Sequence, residues 1–264
     1  MSIPKIIHYC WFGGSELPEL AKYCIASWKK QCPDYQIIRW DENTSDLESC
    51  LFVKEAYREG KWAFVSDYIR LKVINEFGGV YLDIDVELLR PLNDFLDFDG
   101  FMGFEEDKVY NVNTGLGFGA VKEHPVINGL IEHYEKIQFI KGDGQLDMTP
   151  CPFRDTVILK EFGLIKNNKK QCIYGIHILP TDYFCPRSAL GKEKFTINTV
   201  AIHHYFGSWL SERKKTQIKR KKRIISIWGF KLGYVVNYVC VGFDEFIEFG
   251  GLALLKRATT FLRK

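Results

Sequence analysis

Apolar and polar positions alternate along this chain in two rhythms. Residues 5–9 form a short apolar run suited to a buried strand. Residues 17–31 then carry Leu20, Tyr23, Cys24, Ser27 and Trp28 at helical spacing until Pro33 ends the pattern. Residues 35–40 read as a second strand. Over residues 61–77, Ala63, Phe64, Tyr68, Ile69, Val73 and Ile74 make an apolar stripe, and Gly78-Gly79 stops that helix before a strand predicted at 80–89. Further strands are expected at 100–104, 115–121, 172–179 and 200–204, with a helix at 125–136. Strand, helix, strand, helix, strand is the order of an α/β domain with a mainly parallel central sheet. There is no internal repeat, no GxGxxG and no P-loop, which disfavours a dinucleotide oxidoreductase or a Walker-type ATPase.

Composition narrows the class. The 264 residues are 46% apolar and 15% aromatic, which excludes a disordered, collagenous or disulfide-stapled chain. The length suits one large domain with a short appendage. The net charge of +3 conceals an asymmetry: residues 211–264 hold 13 Lys and Arg against 4 Asp and Glu, a net of +9, leaving −6 for residues 1–210. We therefore expect a catalytic body at 1–210 and a basic helical C-terminal tail at 211–264. The eight cysteines are scattered without CxxC pairs or metal spacing, as expected of free thiols in a reducing cytosol. The N-terminus has no charged region followed by an apolar run, so no secretory signal is expected there.

The most informative stretch is Gly78-Gly79-Val80-Tyr81-Leu82-Asp83-Ile84-Asp85. On a continuous strand Asp83 and Asp85 share one side and Leu82, Ile84 and Val86 the other. Two carboxylates beside a buried apolar strand are costly unless paired, and a divalent cation resolves that cost; oxygen ligands at this spacing suit Mg²⁺ or Mn²⁺. An acid-x-acid triplet is weak alone, and Asp97-Phe98-Asp99 is an internal control that reads as a solvated turn.

Context strengthens the first triplet. Ala63-Phe64-Val65-Ser66-Asp67-Tyr68-Ile69-Arg70, followed by Glu76-Phe77-Gly78-Gly79-Val80-Tyr81-Leu82-Asp83-Ile84-Asp85, resembles the signature of glycosyltransferase family 32, the sugar transferases with a DxD motif. That family includes capsular-polysaccharide transferases and initiating mannosyltransferases, and the clostridial glucosylating toxins share the pattern. Residues 3–14, from Ile3-Pro4-Lys5 to Gly13-Gly14, and the late His203-His204-Tyr205-Phe206-Gly207-Ser208-Trp209 also match, so the resemblance covers residues 3 to about 210.

The resemblance implies the GT-A nucleotide-sugar-binding fold and Mn²⁺ or Mg²⁺ held by the DxD carboxylates. By position, Asp83 would face the ribose and sugar and Asp85 the metal, with one of His203 and His204 as a third ligand. Asp67 and Arg70 share a helix face and would hydrogen-bond sugar hydroxyls, and Arg70 could offset charge on the departing diphosphate. Donor contacts are further implied for Trp11, stacking on the base, and for Tyr81, Asn113, Ser208 and Trp209. A core tryptophan and a turn-forming asparagine are the competing readings of Trp11 and Asn113. Thr181-Asp182-Tyr183-Phe184-Cys185-Pro186 resembles a segment near the acceptor, whereas the family's Thr-Gly-Pro is here Met148-Thr149-Pro150, without the glycine.

The implied reaction is metal-dependent, retaining transfer of a sugar from a UDP-linked donor to a glycan acceptor, lipid-linked or oligosaccharide, in capsule or cell-surface polysaccharide synthesis. No residue announces itself as a nucleophile. In the tail, eight of residues 213–223 are basic, and 14 of residues 224–243 are apolar. A basic cluster beside an apolar, aromatic-rich segment suits an anionic membrane surface. This places the protein in the cytoplasm, peripherally on the inner face of the plasma membrane. Packing of 224–243 on the body and a true membrane span are the alternatives. No nucleic-acid motif is present. Competing functions are a metal-dependent hydrolase of nucleotide sugars and a non-catalytic membrane-binding protein.

Overall fold

The computed structural model describes residues 2–105, 110–187, 193–205 and 207, together with scattered helical positions between 213 and 241. Two compact units are present, Met1–Phe206 and Gly207–Lys264. In chain order the first contains β1 (Ile6–Cys10), α1 (Glu19–Gln31), β2 (Gln36–Trp40), α2 (Leu51–Arg58), α3 (Trp62–Phe77), β3 (Gly79–Tyr81), β4 (Val86–Leu88), β5 (Gly100–Gly103) and β6 (Phe118–Ala120). There follow α4 (Pro125–Glu135), α5 (Cys151–Glu161), β7 (Gln171–Ile173), β8 (Ile176–Leu179), α6 (Thr181–Phe184) and β9 (Ala201–His203).

Among the described residues seven strands form one sheet in the order β2-β1-β3-β6-β5-β8-β7. Its pairings orient β2, β1, β3, β5 and β8 in one direction, with β6 and β7 reversed. The sheet is thus mainly parallel in a mixed α/β fold. Side-chain alternation feeds two cores: Ile7, Tyr9, Val80 and Phe101 pack on one face with Trp28 of α1, and Cys10, Tyr81, Met102 and Phe118 on the other with α2, α3 and α4.

Helix α3 lies at the centre of the second core. Nine of its sixteen residues are buried, among them Asp67 and Arg70, because α2, α4 and β1 cover it from several sides. The helix ends where Gly78 (φ 67°) and Gly79 (φ 105°) take conformations that L side chains rarely adopt. A Cβ on Gly79 would lie 2.8 Å from the Ile6 carbonyl oxygen, so this glycine lets β3 dock on β1.

The strand expected at 80–89 is two strands in different sheets. The Asp83 N–H donates to the Gly115 carbonyl and the Val86 N–H to the Asp83 carbonyl, turning the chain out of the large sheet. β4 then pairs antiparallel with β9, Val86 opposite His203. Asp83 and Asp85 therefore sit in this turn rather than along a pleated strand. The strand expected at 172–179 is likewise a hairpin, β7 and β8, reversed at Tyr174 (φ 47°) and Gly175 (φ 89°). Helices α2, α5 and α6 are additions to the elements expected from the pattern.

All eight cysteines are free. Among the described residues no helix is long and apolar enough to cross a membrane. Ser208, Trp209 and most of the basic tail lie outside the described residues.

Candidate active site

Three parallel strands deliver their carboxyl ends to one crevice, the usual ligand position in an α/β sheet. Trp11 follows β1, Asp83 and Asp85 follow β3, and Glu105 follows β5. The β4–β9 ladder brings His203 alongside Asp85: its Nε2 lies 3.2 Å from Asp85 Oδ1. One ligand atom from each of Asp83, Asp85 and His203 falls within 4.8 Å of the others. Asp83 is the opened member, with a quarter of its side chain exposed, while Asp85 and His203 are buried.

This donor set fits a hard divalent cation. Two carboxylates and an imidazole offer three ligand atoms, leaving positions for phosphate oxygens. Among the described residues the buried Nδ1 of His203 has no hydrogen-bond partner. Burial opposes charge on His203, but Asp85 beside it outweighs that effect and raises the imidazole to about 9; without a metal, a proton compensates the carboxylates. His204 points elsewhere, its Nε2 2.9 Å from Glu87 Oε2 and its N–H donating to the Asp85 carbonyl. Of the adjacent histidines, the structure puts His203 in the carboxylate cluster.

Behind Asp83 stands Arg70. Its Nη2 is 2.9 Å from Asp67 Oδ1 and 3.3 Å from Asp83 Oδ1, its Nε–H donates to the Ser66 carbonyl, and its guanidinium lies 4.9 Å from the Tyr81 ring centre. The Tyr81 hydroxyl donates to Asp83 Oδ1 at 2.9 Å. Burial opposes charge on Arg70, yet Asp83, Tyr81 and Asp67 outweigh it and hold the group charged. Burial pushes Asp67 up to about 6 against the pull of Arg70. Arg70 is 3% exposed, so its geometry is that of a group orienting Asp83 rather than one reaching into the crevice.

Asn113 closes the far side. Its Oδ1 accepts from the Gly115 N–H at 2.6 Å, and its Nδ2 donates to Glu105 Oε2 at 3.3 Å. Trp11 is half-buried at the crevice, its Nε1–H donating to the Ser15 carbonyl. Asp97 and Asp99 are exposed in a turn, as the control triplet required. Gly115, Glu105, Thr114, Cys151, Asp155 and Tyr205 also line or back this region and were not singled out from sequence. Thr114 and Gly115 adjoin Asn113, and Tyr205 lies within the late motif at 203–209, so the sequence carried a signal near these three. Glu105, Cys151 and Asp155 carried none, since a lone acid or thiol gives no sign of what it will face.

Parts of the chain are similar to known proteins. Residues 18–102 match the family described as a glycosyltransferase sugar-binding region containing the DXD motif. The chain is 30% identical over 153 residues to the mannosyl phosphorylinositol ceramide synthase SUR1 of Saccharomyces cerevisiae, covering 52% of this chain and 37% of that one. It is 26% identical over 231 residues to an uncharacterised glycosyltransferase, L373, of Acanthamoeba polyphaga mimivirus, covering 82% and 87%. The solved PaToxG glycosyltransferase superposes with a TM-score of 0.48 at 20% identity, covering 61% of this chain and 70% of that one. The chain spans between about a third and a half of the length of the yeast relatives. Two D-x-D triplets lie within the matched stretch, and Asp83/Asp85 is the one that converges with a third ligand and a buried arginine. Residues 18–102 of the chain thus carry the likeness to a glycosyltransferase sugar-binding region containing the DXD motif.

Proposed function

We propose that this glycosyltransferase moves a hexose from a nucleotide-sugar donor to a glycan acceptor with retention of configuration, assisted by Mn²⁺ or Mg²⁺. The observation that carries the reading is the convergence of Asp83, Asp85 and His203 at the strand ends, with Arg70 buried behind Asp83. These three side chains would hold the cation, which when bound supplies positive charge against the departing diphosphate.

The protein's own groups do the positioning. Arg70 and the Tyr81 hydroxyl both bond Asp83 Oδ1, leaving Oδ2 for the crevice, and Asp67 keeps the guanidinium in register. Asn113 and Glu105 present a carboxamide and a carboxylate suited to sugar hydroxyls. A donor linked to UDP is our first candidate. Mannose is the first sugar to test, because relatives are named mannosyltransferases and a mannosyl phosphorylinositol ceramide synthase. Those names also favour a lipid-borne acceptor. Attachment through the basic tail to the inner face of the plasma membrane, and a role in capsule or surface polysaccharide synthesis, complete the proposal.

The test is a panel of UDP- and GDP-sugars, assayed for Mn²⁺-dependent binding and slow hydrolysis by the wild type and the Asp83→Asn/Asp85→Asn variant. Binding of at least one donor, lost in the variant, is expected. No donor bound, or a variant equal to wild type, overturns the reading. Turnover to water undiminished by any glycan acceptor would favour a hydrolase instead.

A further inference from the structure

Helix α5 has a mixed buried face, in which polar side chains sit beside Cys151, Pro152, Ile158 and Leu159. It buries Arg154, Asp155 and Thr156 while Phe153 is 52% and Val157 58% exposed. A carboxylate buried on a helix that leaves two apolar side chains in water is costly unless it is paired. Asp155 and Thr156 are hydrogen-bonded, Arg154 pairs with Asp147 while its Nε has no partner among the described residues, and three residues of α5 engage one target.

That target is the loop carrying Asn113. The Thr114 hydroxyl donates to Asp155 Oδ2 at 2.8 Å and the Tyr134 hydroxyl to Asp155 Oδ1 at 3.1 Å. The Val112 N–H donates to Thr156 Oγ1 at 2.9 Å, and Cys151 Sγ lies 3.9 Å from Asn113 Oδ1 and 3.8 Å from Arg70 Nη1. Asp155 and Thr114 are both fully buried, so neither hydroxyl donor can be replaced by water at low cost. From Thr114 the connection to the site is one residue long. The Gly115 carbonyl accepts the Asp83 N–H, and the Gly115 N–H is held by Asn113 Oδ1.

We propose that Asp155 is a positioning residue for sugar transfer: through its bond to the Thr114 hydroxyl it fixes the Asn113–Gly115 turn against Asp83 and Arg70. The inference rests on the proposed donor site and deepens it. Asp155 touches no substrate. Each of its two carboxylate oxygens accepts from a hydroxyl, one from the 112–115 loop and one from α4, so it ties that loop to both helices.

Thr114→Val keeps the shape and removes the donor. With the full chain, Mn²⁺ and the nucleotide sugar that wild type hydrolyses fastest, this variant should lose at least tenfold in kcat. Its KM for the donor should stay within threefold and its melting temperature within a few degrees. Asp155→Leu should fall as far, Thr114→Val/Asp155→Leu no further than either, and Asp155→Asn, whose amide oxygen still accepts, should retain most activity. Amide hydrogen exchange at residues 112–115 should quicken in Thr114→Val. Folded single variants within twofold of wild-type kcat overturn the inference, as does a double variant that loses the product of the two single effects. If wild type turns over no donor, the proposed function fails instead, and unchanged exchange at 112–115 in Thr114→Val then overturns this inference separately.

Discussion

Gly115 and Asp83 are in direct apposition: a Cβ on Gly115 would lie 2.3 Å from Asp83 Oδ2, 2.9 Å from Asn113 Oδ1 and 3.1 Å from Arg70 Nη1. The glycine is required because three polar groups of the site converge on the space beside its Cα. The atoms that would clash are the ends of side chains, so the site yields before the fold does. Gly115→Ala should therefore cost little stability, about 1–2 kcal/mol, while weakening Mn²⁺ binding about tenfold, equivalent to about 1.4 kcal/mol. Paramagnetic resonance titration of free Mn²⁺ measures the second, and urea unfolding the first. An affinity equal to wild type would contradict the geometry.

The adjacent histidines should separate cleanly. His203 faces Asp85 within the carboxylate cluster, and His204 faces Glu87. His203→Ala should lower Mn²⁺ affinity at least tenfold, and His204→Ala should leave it within about threefold. The same titration decides. Equal losses, or a greater loss for His204→Ala, would reverse the ligand assignment.

His8 makes stability depend on pH. Its Nε2–H donates to the Gly78 carbonyl at 2.9 Å and its Nδ1 accepts from Trp40 Nε1–H at 3.0 Å, which fixes the neutral tautomer. Burial lowers it from 6.5 to about 4, the Gly78 bond opposing. The unfolded chain binds the proton at a higher pH than the folded one. The contribution is therefore complete above pH 6.5 and is lost as pH falls toward 4, to the extent of about 3 kcal/mol. Urea unfolding at pH 7 and pH 4.5, wild type against His8→Gln, isolates it. The variant should show a shallower loss.

Gly79 tests the junction that aims β3 at the crevice. With φ at 105° and the Ile6 carbonyl oxygen 2.8 Å from the place of a Cβ, Gly79→Ala meets backbone rather than a movable side chain. We expect destabilisation of at least about 2 kcal/mol, read as a shifted denaturation midpoint. A midpoint unchanged from wild type would exclude the strain argument.

Much of the body was legible in the pattern of residues. Helices α1, α3 and α4 fall within one or two residues of their apolar periodicity, β2, β5 and β9 lie inside the runs that announced them, and β1 is shifted one residue beyond its run. α5 escaped because Arg154, Asp155 and Thr156 share its buried face with Ile158 and Leu159 while Phe153 and Val157 are exposed, which blurs the signal that periodicity reads. The break at Asp83 escaped because it is made by a hydrogen bond from Gly115, thirty-two residues away, which no local pattern encodes.

By itself, then, the sequence determined the local elements, the charge division and the DxD carboxylates, because propensity, turn glycines and motif spacing act over a few residues. Tertiary structure decided which histidine joins those carboxylates, through the register of Val86 against His203. It also decided that Arg70 is committed to Asp83, and that Asp155 stands beneath the loop that faces them. These depend on which long-range pairings desolvate a charge and which offer it a partner, and that balance exists only once the chain is packed.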